Sequence, residues 1–257
     1  MHEIEIINVT KKYDTKKGPF LALDTVNLAI DKNEFVCVVG PSGCGKTTLL
    51  QMIAGLSKPT DGEIKVAGET VTGPGKGKGV VFQQYALYPW LSVLDNVAFG
   101  LKMKKIAKDK RYEIAKKYIN IVGLDKFINS YPKELSGGMK QRVALARAYA
   151  TNPDVLLMDE PFGALDAQTR AQLQENLLNT WQQEKKTCFF ITHDVDEAVL
   201  LSTKIVIMSA GPGRITEIIP VDLPYPRNQE TKLTEEYNHL KNMIWNKVYK
   251  EYLETSK

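Results

Sequence analysis

Cysteine is scarce in this chain. Three occur in 257 residues, Cys37, Cys44 and Cys188, an odd number without metal-ligand spacing. That argues against a disulfide framework or a thiolate zinc site. Cys37 and Cys188 sit in apolar runs and read as core residues. Missing too is any apolar run near the length of about 20 residues that a membrane-spanning helix needs. The opening Met1-His2-Glu3-Ile4-Glu5 has neither the basic start nor the apolar centre of a secretion leader. A cytosolic protein, or one peripheral on the cytosolic side of a membrane, is expected. No internal repeat or low-complexity tract is found. The formal charge of +4 is mild, and its basic residues gather locally: Lys102, Lys104, Lys105, Lys108, Lys110, Arg111, Lys116 and Lys117. No aromatic stacking residues are read as interleaving them, so nucleic acid is not an expected partner. A solvated helix face, or attraction to anionic lipid headgroups, accounts for the cluster.

What is present begins with Gly40-Pro41-Ser42-Gly43-Cys44-Gly45-Lys46-Thr47-Thr48. It follows the β-branched run Glu34–Val39 and leads into Leu49-Leu50-Gln51-Met52-Ile53-Ala54. That is the strand, glycine turn and helix order of a phosphate loop. The glycines let several backbone N–H groups converge on one anion, and the helix N-terminus adds its partial positive charge. Lys46 suits the β- and γ-phosphates, and the Thr47 hydroxyl suits Mg²⁺. The sequence therefore predicts nucleoside triphosphate binding. Cys44 is expected to be partly exposed there, with a thiol pKa lowered by the helix N-terminus.

Along the chain, Glu3–Thr10 and Val26–Ile30 predict strands, with a turn at Lys16–Pro19. Tyr13 is open between a core aromatic and a platform for an adenine ring. Leu56–Gly62 reads as helix stop and turn, Glu63–Val66 and Gly79–Phe82 as short strands, and Gly73–Lys78 as loop. From Tyr85 to about Leu135 the spacing turns helical. Strands return at Val155–Met158, Thr187–Ile191 and Lys204–Met208, with a long helix at about Ala167–Lys185. Alternating strands and helices predict an α/β fold with a mostly parallel sheet. Gly211-Pro212-Gly213-Arg214 makes a turn between two strands. A prolyl linker from Pro224 leads to an amphipathic helix with Leu240, Ile244 and Val248 on one stripe.

Further chemical stations fall at strand ends, where ligands collect in α/β sheets. Asp159 after Val155–Met158 is placed to hold Mg²⁺, and Glu160 to polarise an attacking water. His193 closes the run Phe189–Thr192 and suits a γ-phosphate contact. Leu135-Ser136-Gly137-Gly138-Met139 opens a helix over Lys140–Ala150, with Ser136 as N-cap. The chain thus carries two helix N-termini suited to anions, and one nucleotide does not obviously need both from one molecule.

The phosphate loop, Gln83, Leu135–Met139, Asp159-Glu160, Ala164-Leu165-Asp166 and His193 follow one another in the order and spacing of ATP-binding cassette ATPases. The resemblance covers about residues 3 to 220. It implies a phosphate-loop NTPase fold with an antiparallel N-terminal β subdomain, and an ATPase using ATP and Mg²⁺. Implied domains are an ATP-binding core at 1–84 and 151–220, a helical subdomain at 85–150, and a linker and helix at 221–257. It also implies a head-to-tail dimer, expected to be of identical chains, with each ATP between one phosphate loop and the other chain's Ser136–Gly138. Position by position, Tyr13 resembles the adenine-stacking aromatic, and Gln83 the glutamine that touches Mg²⁺ and water. Asp166 resembles the residue linking the two sites across the dimer. Met139 departs from the family's usual glutamine.

Tyr88–Val97 and Met208–Ile215 are similar to the nitrate, sulfonate and taurine importer ATPases. That implies integral membrane permease subunits as partners, indirectly a solute-binding protein, and a place on the cytoplasmic face of the cell membrane. Gln84 to Leu94 would face the permease, with Trp90 as an anchor. An exporter or lipoprotein-release ATPase shares these motifs; a soluble, non-transport cassette is the remaining alternative.

Overall fold

The computed structural model describes residues 2–16 and 18–255. The chain forms two compact units, Met1–Lys76 with Glu184–Lys257, and Gly77–Gln183.

In the first unit, β1 (His2–Thr15) and β2 (Gly18–Asp31) form a long antiparallel hairpin, and β4 (Asp61–Val66) and β5 (Glu69–Thr70) extend it in the order β2-β1-β4-β5. Alternating burial, with Ile4, Ile6, Leu28 and Ile30 inside, marks a sheet covered on one face. Both hairpin strands run beyond their expected limits. The inward-outward alternation is broken by register shifts between Ile6 and Val9 and between Val9 and Lys11. Asn8 and Thr25, at φ of 49° each, turn the chain there. Beyond the bulges, Lys12–Thr15 pair with polar side chains outward, which a hydrophobic pattern does not reveal. Of the expected turn Lys16–Pro19, Lys17 lies outside the described residues, and Gly18 and Pro19 are already strand. Asp61 and Gly62 likewise belong to β4, where the Thr10 hydroxyl donates to Asp61 at 2.9 Å.

The same unit holds β3 (Phe35–Val39), followed by α1 (Lys46–Ala54). All five residues of β3 are buried, so its sequence is continuously apolar.

The second unit opens with β6 (Lys78–Val81) and continues through α2 (Val93–Met103), α3 (Lys108–Ile121) and α4 (Gly137–Ala150) to β7 (Val155–Asp159) and α5 (Ala167–Glu184). β6 and β7 pair in parallel, Val80 opposite Leu157. Ser92 caps α2, accepting from the Asp95 N–H at 3.1 Å. Two tyrosines do lie inside the basic cluster: Lys108 is 5.6 Å and Arg111 5.5 Å from the Tyr112 ring, and Lys117 5.1 Å from Tyr118. The expectation that no aromatic interleaves the charges is thereby corrected. Tyr118 is buried, and the Tyr112 hydroxyl donates to Asp95 at 2.8 Å, so both rings serve packing within the unit.

The chain returns to the first unit with β8 (Thr187–Ile191), α6 (Val195–Leu201), β9 (Lys204–Ser209), β10 (Arg214–Pro220) and α7 (Glu235–Thr255). β3 pairs in parallel with β8 and β9, and β10 closes the edge antiparallel to β9. Phe35, Phe189, Phe190, Leu49 and Leu50 are fully enclosed. Each such side chain stabilises the fold by about 1.5–3 kcal/mol. Cys37 and Cys188 lie in this core, and burial pushes both thiols well up from their ordinary pKa.

One buried cation binds the C-terminal segment to this core. The Arg227 guanidinium donates to the carbonyls of Val199, Leu200, Ser202, Val221 and Leu223 at 2.7–3.3 Å, and it stacks 4.0 Å from the Tyr225 ring centre. It thereby satisfies the last carbonyls of α6, which no intrahelical donor reaches. The stripe on α7 is as expected, with Ile244 buried and Tyr237 added to it.

Arg227→Met should therefore destabilise the chain by about 3 kcal/mol, because carbonyls stay buried without donors. Urea unfolding of the two proteins checks this; a difference under about 0.5 kcal/mol would show the clamp to be dispensable.

Candidate nucleotide-binding site

β3 ends at Val39, and Gly40–Gly45 turn the chain into α1. Gly45 has φ 92°, and a Cβ there would lie 2.5 Å from Leu23 Cδ2, so this position is closed to side chains on two counts. Ser42, Gly43 and Thr47 are exposed, while Pro41, Cys44 and Lys46 are buried. Thr48, half-buried, lies 3.5 Å from the Tyr13 hydroxyl. Tyr13 is 37% exposed, which rules out the core reading, and its ring carries the Lys11 ammonium at 4.9 Å.

The Lys46 side chain folds back into the loop. Its ammonium donates to the carbonyls of Gly40 at 2.8 Å and Pro41 at 3.0 Å, and lies 3.6 Å from Cys44 Sγ. Cys44 departs from expectation: it is fully buried, and burial raises its thiol pKa against the opposing pull of Lys46. The residue points into the loop rather than towards solvent, so desolvation outweighs the charge effects.

His193 follows β8 and is exposed. The Thr192 hydroxyl donates to Glu197 at 2.7 Å and accepts the Asp194 N–H at 3.0 Å, which fixes the backbone on both sides of His193. Gly40, Pro41, Ser42 and His193 line one cleft of about 630 Å³. Lys46 is thus the hidden cation of the loop, and His193 is brought to the loop's open side.

In the second unit, β7 delivers Asp159, buried at 4% exposure, and then Glu160, half-buried with φ 45°. That left-handed backbone is uncommon for a residue with a side chain and is typical of functional turns. Gln83 just past β6 donates its amide to Glu160 at 3.3 Å, so two candidate residues far apart in sequence meet directly. Ser136 caps α4 by accepting the Met139 N–H at 3.3 Å. Its glycines have packing reasons of their own: a Cβ on Gly137 would reach within 2.9 Å of the Tyr85 hydroxyl, and one on Gly138 within 3.0 Å of Leu165. Ser136 and Gly137 remain exposed. Asp166 is exposed and caps α5, accepting the Thr169 N–H at 2.9 Å, which holds its carboxyl below the usual range.

Two features escaped the sequence. Gly213, in the turn between β9 and β10, donates its N–H to Ala22 at 3.0 Å and accepts from Asp24 at 2.9 Å. A Cβ on Gly213 would sit 2.0 Å from the Cys44 carbonyl, so this turn buttresses the phosphate loop. An ion pair of Arg214 with Asp24 secures it. The second feature is the far wall of the His193 cleft, made by Lys241, Asn242, Trp245, Tyr249 and Tyr252 of α7. The aromatic spacing of four and three residues was a legible signal of a helix face.

Comparison with known proteins assigns the family. The profile of the ABC transporter family matches residues 23–163. The chain belongs to the ABC transporter family. It is 53% identical over 249 residues to an uncharacterized ABC transporter ATP-binding protein of Methanocaldococcus jannaschii, covering 96% of this chain and 93% of that one. To the aliphatic sulfonates import ATP-binding protein of Bacillus cereus it is 51% identical over 234 residues, 91% of this chain and 92% of that one. A dimeric structure of the post-hydrolysis state of an ATP-binding cassette, bound to ADP and Pi, matches with a TM-score of 0.80 and 33% identity. It covers 86% of this chain and 100% of the cassette. The expected α/β cassette fold is borne out, and the chain is the ATPase subunit type of this family.

Buried Cys44 should resist alkylation by iodoacetamide at pH 8, reacting at least about tenfold more slowly than in urea-unfolded chain. Its raised pKa means that the rate should still climb above pH 9. Peptide mass spectrometry reads each thiol; equal rates in folded and unfolded protein would show the loop to be open.

Proposed function

We propose that this ABC ATPase powers import of a small anion of the sulfonate, nitrate or taurine type through separate membrane subunits. The observation that carries this reading is the 51% identity to an aliphatic sulfonates import protein over nine-tenths of the chain. The exposed face around Trp90 supports it. Trp90 is 71% exposed, and its ring lies 5.8 Å from Tyr88, which packs 4.4 Å from Phe99. A large exposed indole beside two further aromatics suits an anchor for a membrane subunit rather than a core residue. No helix among the described residues is long and apolar enough to cross a membrane, so such a subunit would be a separate chain docked at the cytoplasmic face.

In this reading the core, 1–84 and 151–220, binds ATP, and the helical subdomain, 85–150, carries motion to the permease, with 221–257 as linker and helix. Tyr13 stacks the adenine, and the N–H groups from Gly40 to Thr48 cradle the phosphates. Lys46 exchanges its loop carbonyls for phosphate oxygens. The donors Thr47, Asp159 and Gln83 fit Mg²⁺, being hard oxygens. Among the described residues no cluster of three or more His, Cys, Asp or Glu makes a full cage. That matches an ion that keeps waters and shares phosphate ligands; when bound, it would offset phosphate charge. Glu160, oriented by Gln83, takes the proton of the attacking water, and His193 contacts the γ-phosphate. A second copy, head to tail, contributes Ser136, Gly137 and Gly138 to each nucleotide, with Asp166 between the two sites. A solute-binding protein would present the anion outside.

Glu160→Gln should bind ATP and dimerise, yet hydrolyse it at least about 100-fold more slowly. Near-normal turnover by that variant would remove Glu160 from its role. With the permease subunits in liposomes, ATPase activity should rise severalfold on adding a solute-binding protein loaded with an alkanesulfonate, nitrate or taurine. No stimulation by any of the three, or export of the anion, would overturn the import reading.

A further inference from the structure

The cleft that begins at Ser42 and His193 does not end at the nucleotide. It continues along α7, whose face there carries Trp245, Tyr249 and Tyr252 in a ladder. Trp245 and Tyr249 stack at 4.8 Å and 13°, Tyr249 and Tyr252 at 6.5 Å and 17°. These rings are 51%, 44% and 55% exposed, with Leu253 beside them at 45%. Large aromatics so exposed on one helix face mark an interaction surface.

That face is held rigid. The opposite stripe buries Tyr237 and Ile244 fully. The Tyr237 hydroxyl donates to the Asp196 carbonyl at 2.8 Å, Lys232 pairs with the Asp196 carboxylate, and Lys247 pairs with Glu217 at 2.7 Å. Asp196 lies three residues from His193, so the ladder and the histidine share one frame.

We propose that the occupant of this face is a second copy of this chain, and that the aromatic ladder forms part of the surface buried when two copies close on nucleotide. This rests on the dimeric reading above. Each chain carries one more exposed anion site, at Ser136 and Gly137, than its own phosphate loop requires. A copy that delivers that site to a nucleotide here must approach the side of the loop where Ser42 and His193 are exposed. From there the cleft runs without interruption to Trp245. Tyr and Trp at such positions lose little conformational freedom on burial and concentrate binding energy. The C-terminal helix would then tie dimer closure to the His193 frame through Asp196.

The test is sedimentation of Glu160→Gln with ATP and Mg²⁺, against the same protein carrying Trp245→Ser and Tyr249→Ser. Both added substitutions are at exposed positions and should leave the melting temperature and monomer affinity for a fluorescent ATP analogue unchanged. The expected result is a dimer dissociation constant raised about tenfold or more. In the parent, Trp245 emission should shift to the blue with rising protein concentration, a change that Trp245→Phe removes. This fluorescence arm stands even if the double variant is unstable. Equal dimerisation and an unmoved spectrum would overturn the proposal, as would weakened monomer binding of the analogue, which would assign the face to the chain's own nucleotide. Loss of permease co-purification with dimerisation intact would assign it to the membrane subunit and also overturn it. Failure of the parent to dimerise would instead remove the dimeric reading itself.

Discussion

A primary ammonium enclosed by backbone carbonyls is the constraint on which this site depends. Lys46 is 7% exposed and bonds to Gly40 and Pro41 of its own loop. A buried cation is tolerated only where such acceptors replace water. The loop must therefore keep its curvature, which explains the density of packing around it: Gly45 against Leu23, Gly213 against Cys44, and β3 fixed between β8 and β9. The cation is stored in place, and incoming phosphate oxygens replace carbonyl acceptors instead of dehydrating a free lysine.

The second unit solves a different problem, that of presenting carboxylates without committing them to structure. Asp159 belongs to the buried end of β7, whereas Glu160 leaves the strand in a left-handed turn and meets Gln83. A backbone conformation that side chains disfavour is kept here because it turns the second acid away from the buried strand direction. The glycines of the α4 N-terminus likewise serve packing against Tyr85 and Leu165 while leaving Ser136 exposed. Structural and chemical reasons for one residue type coincide at this helix end.

Much of this was legible in the sequence, for identifiable reasons. β3 and β8 are continuous apolar runs because both faces are covered, and Thr187–Ile191 has the bounds its sequence predicts. The phosphate loop and Ser136 announce themselves through local chemistry. What escaped depends on distant partners or on polar strands. The β1–β2 hairpin extends through Lys12–Thr15 because antiparallel hydrogen bonds, not burial, hold it. Cys44 was expected outside because the sequence shows its neighbours on the helix and not the direction of its side chain. Gly213 reads as a turn residue; nothing local shows that it leans on a loop some 170 positions earlier. The meeting of Gln83 and Glu160 is a product of the parallel pairing of β6 and β7, which brings their ends together.

The Arg227 clamp bears on the order in which the protein is made. The carbonyls that end α6, only a few residues beyond His193, take their donors from a side chain that the ribosome adds 25 to 28 positions later. Synthesis is vectorial, and domains fold as units as they emerge. The strands around the phosphate loop can therefore assemble first, while the histidine segment stays unfinished until Arg227 and then Tyr237 are in place. Catalytic competence is thus among the last properties this chain acquires, and an interrupted translation product lacks it by construction.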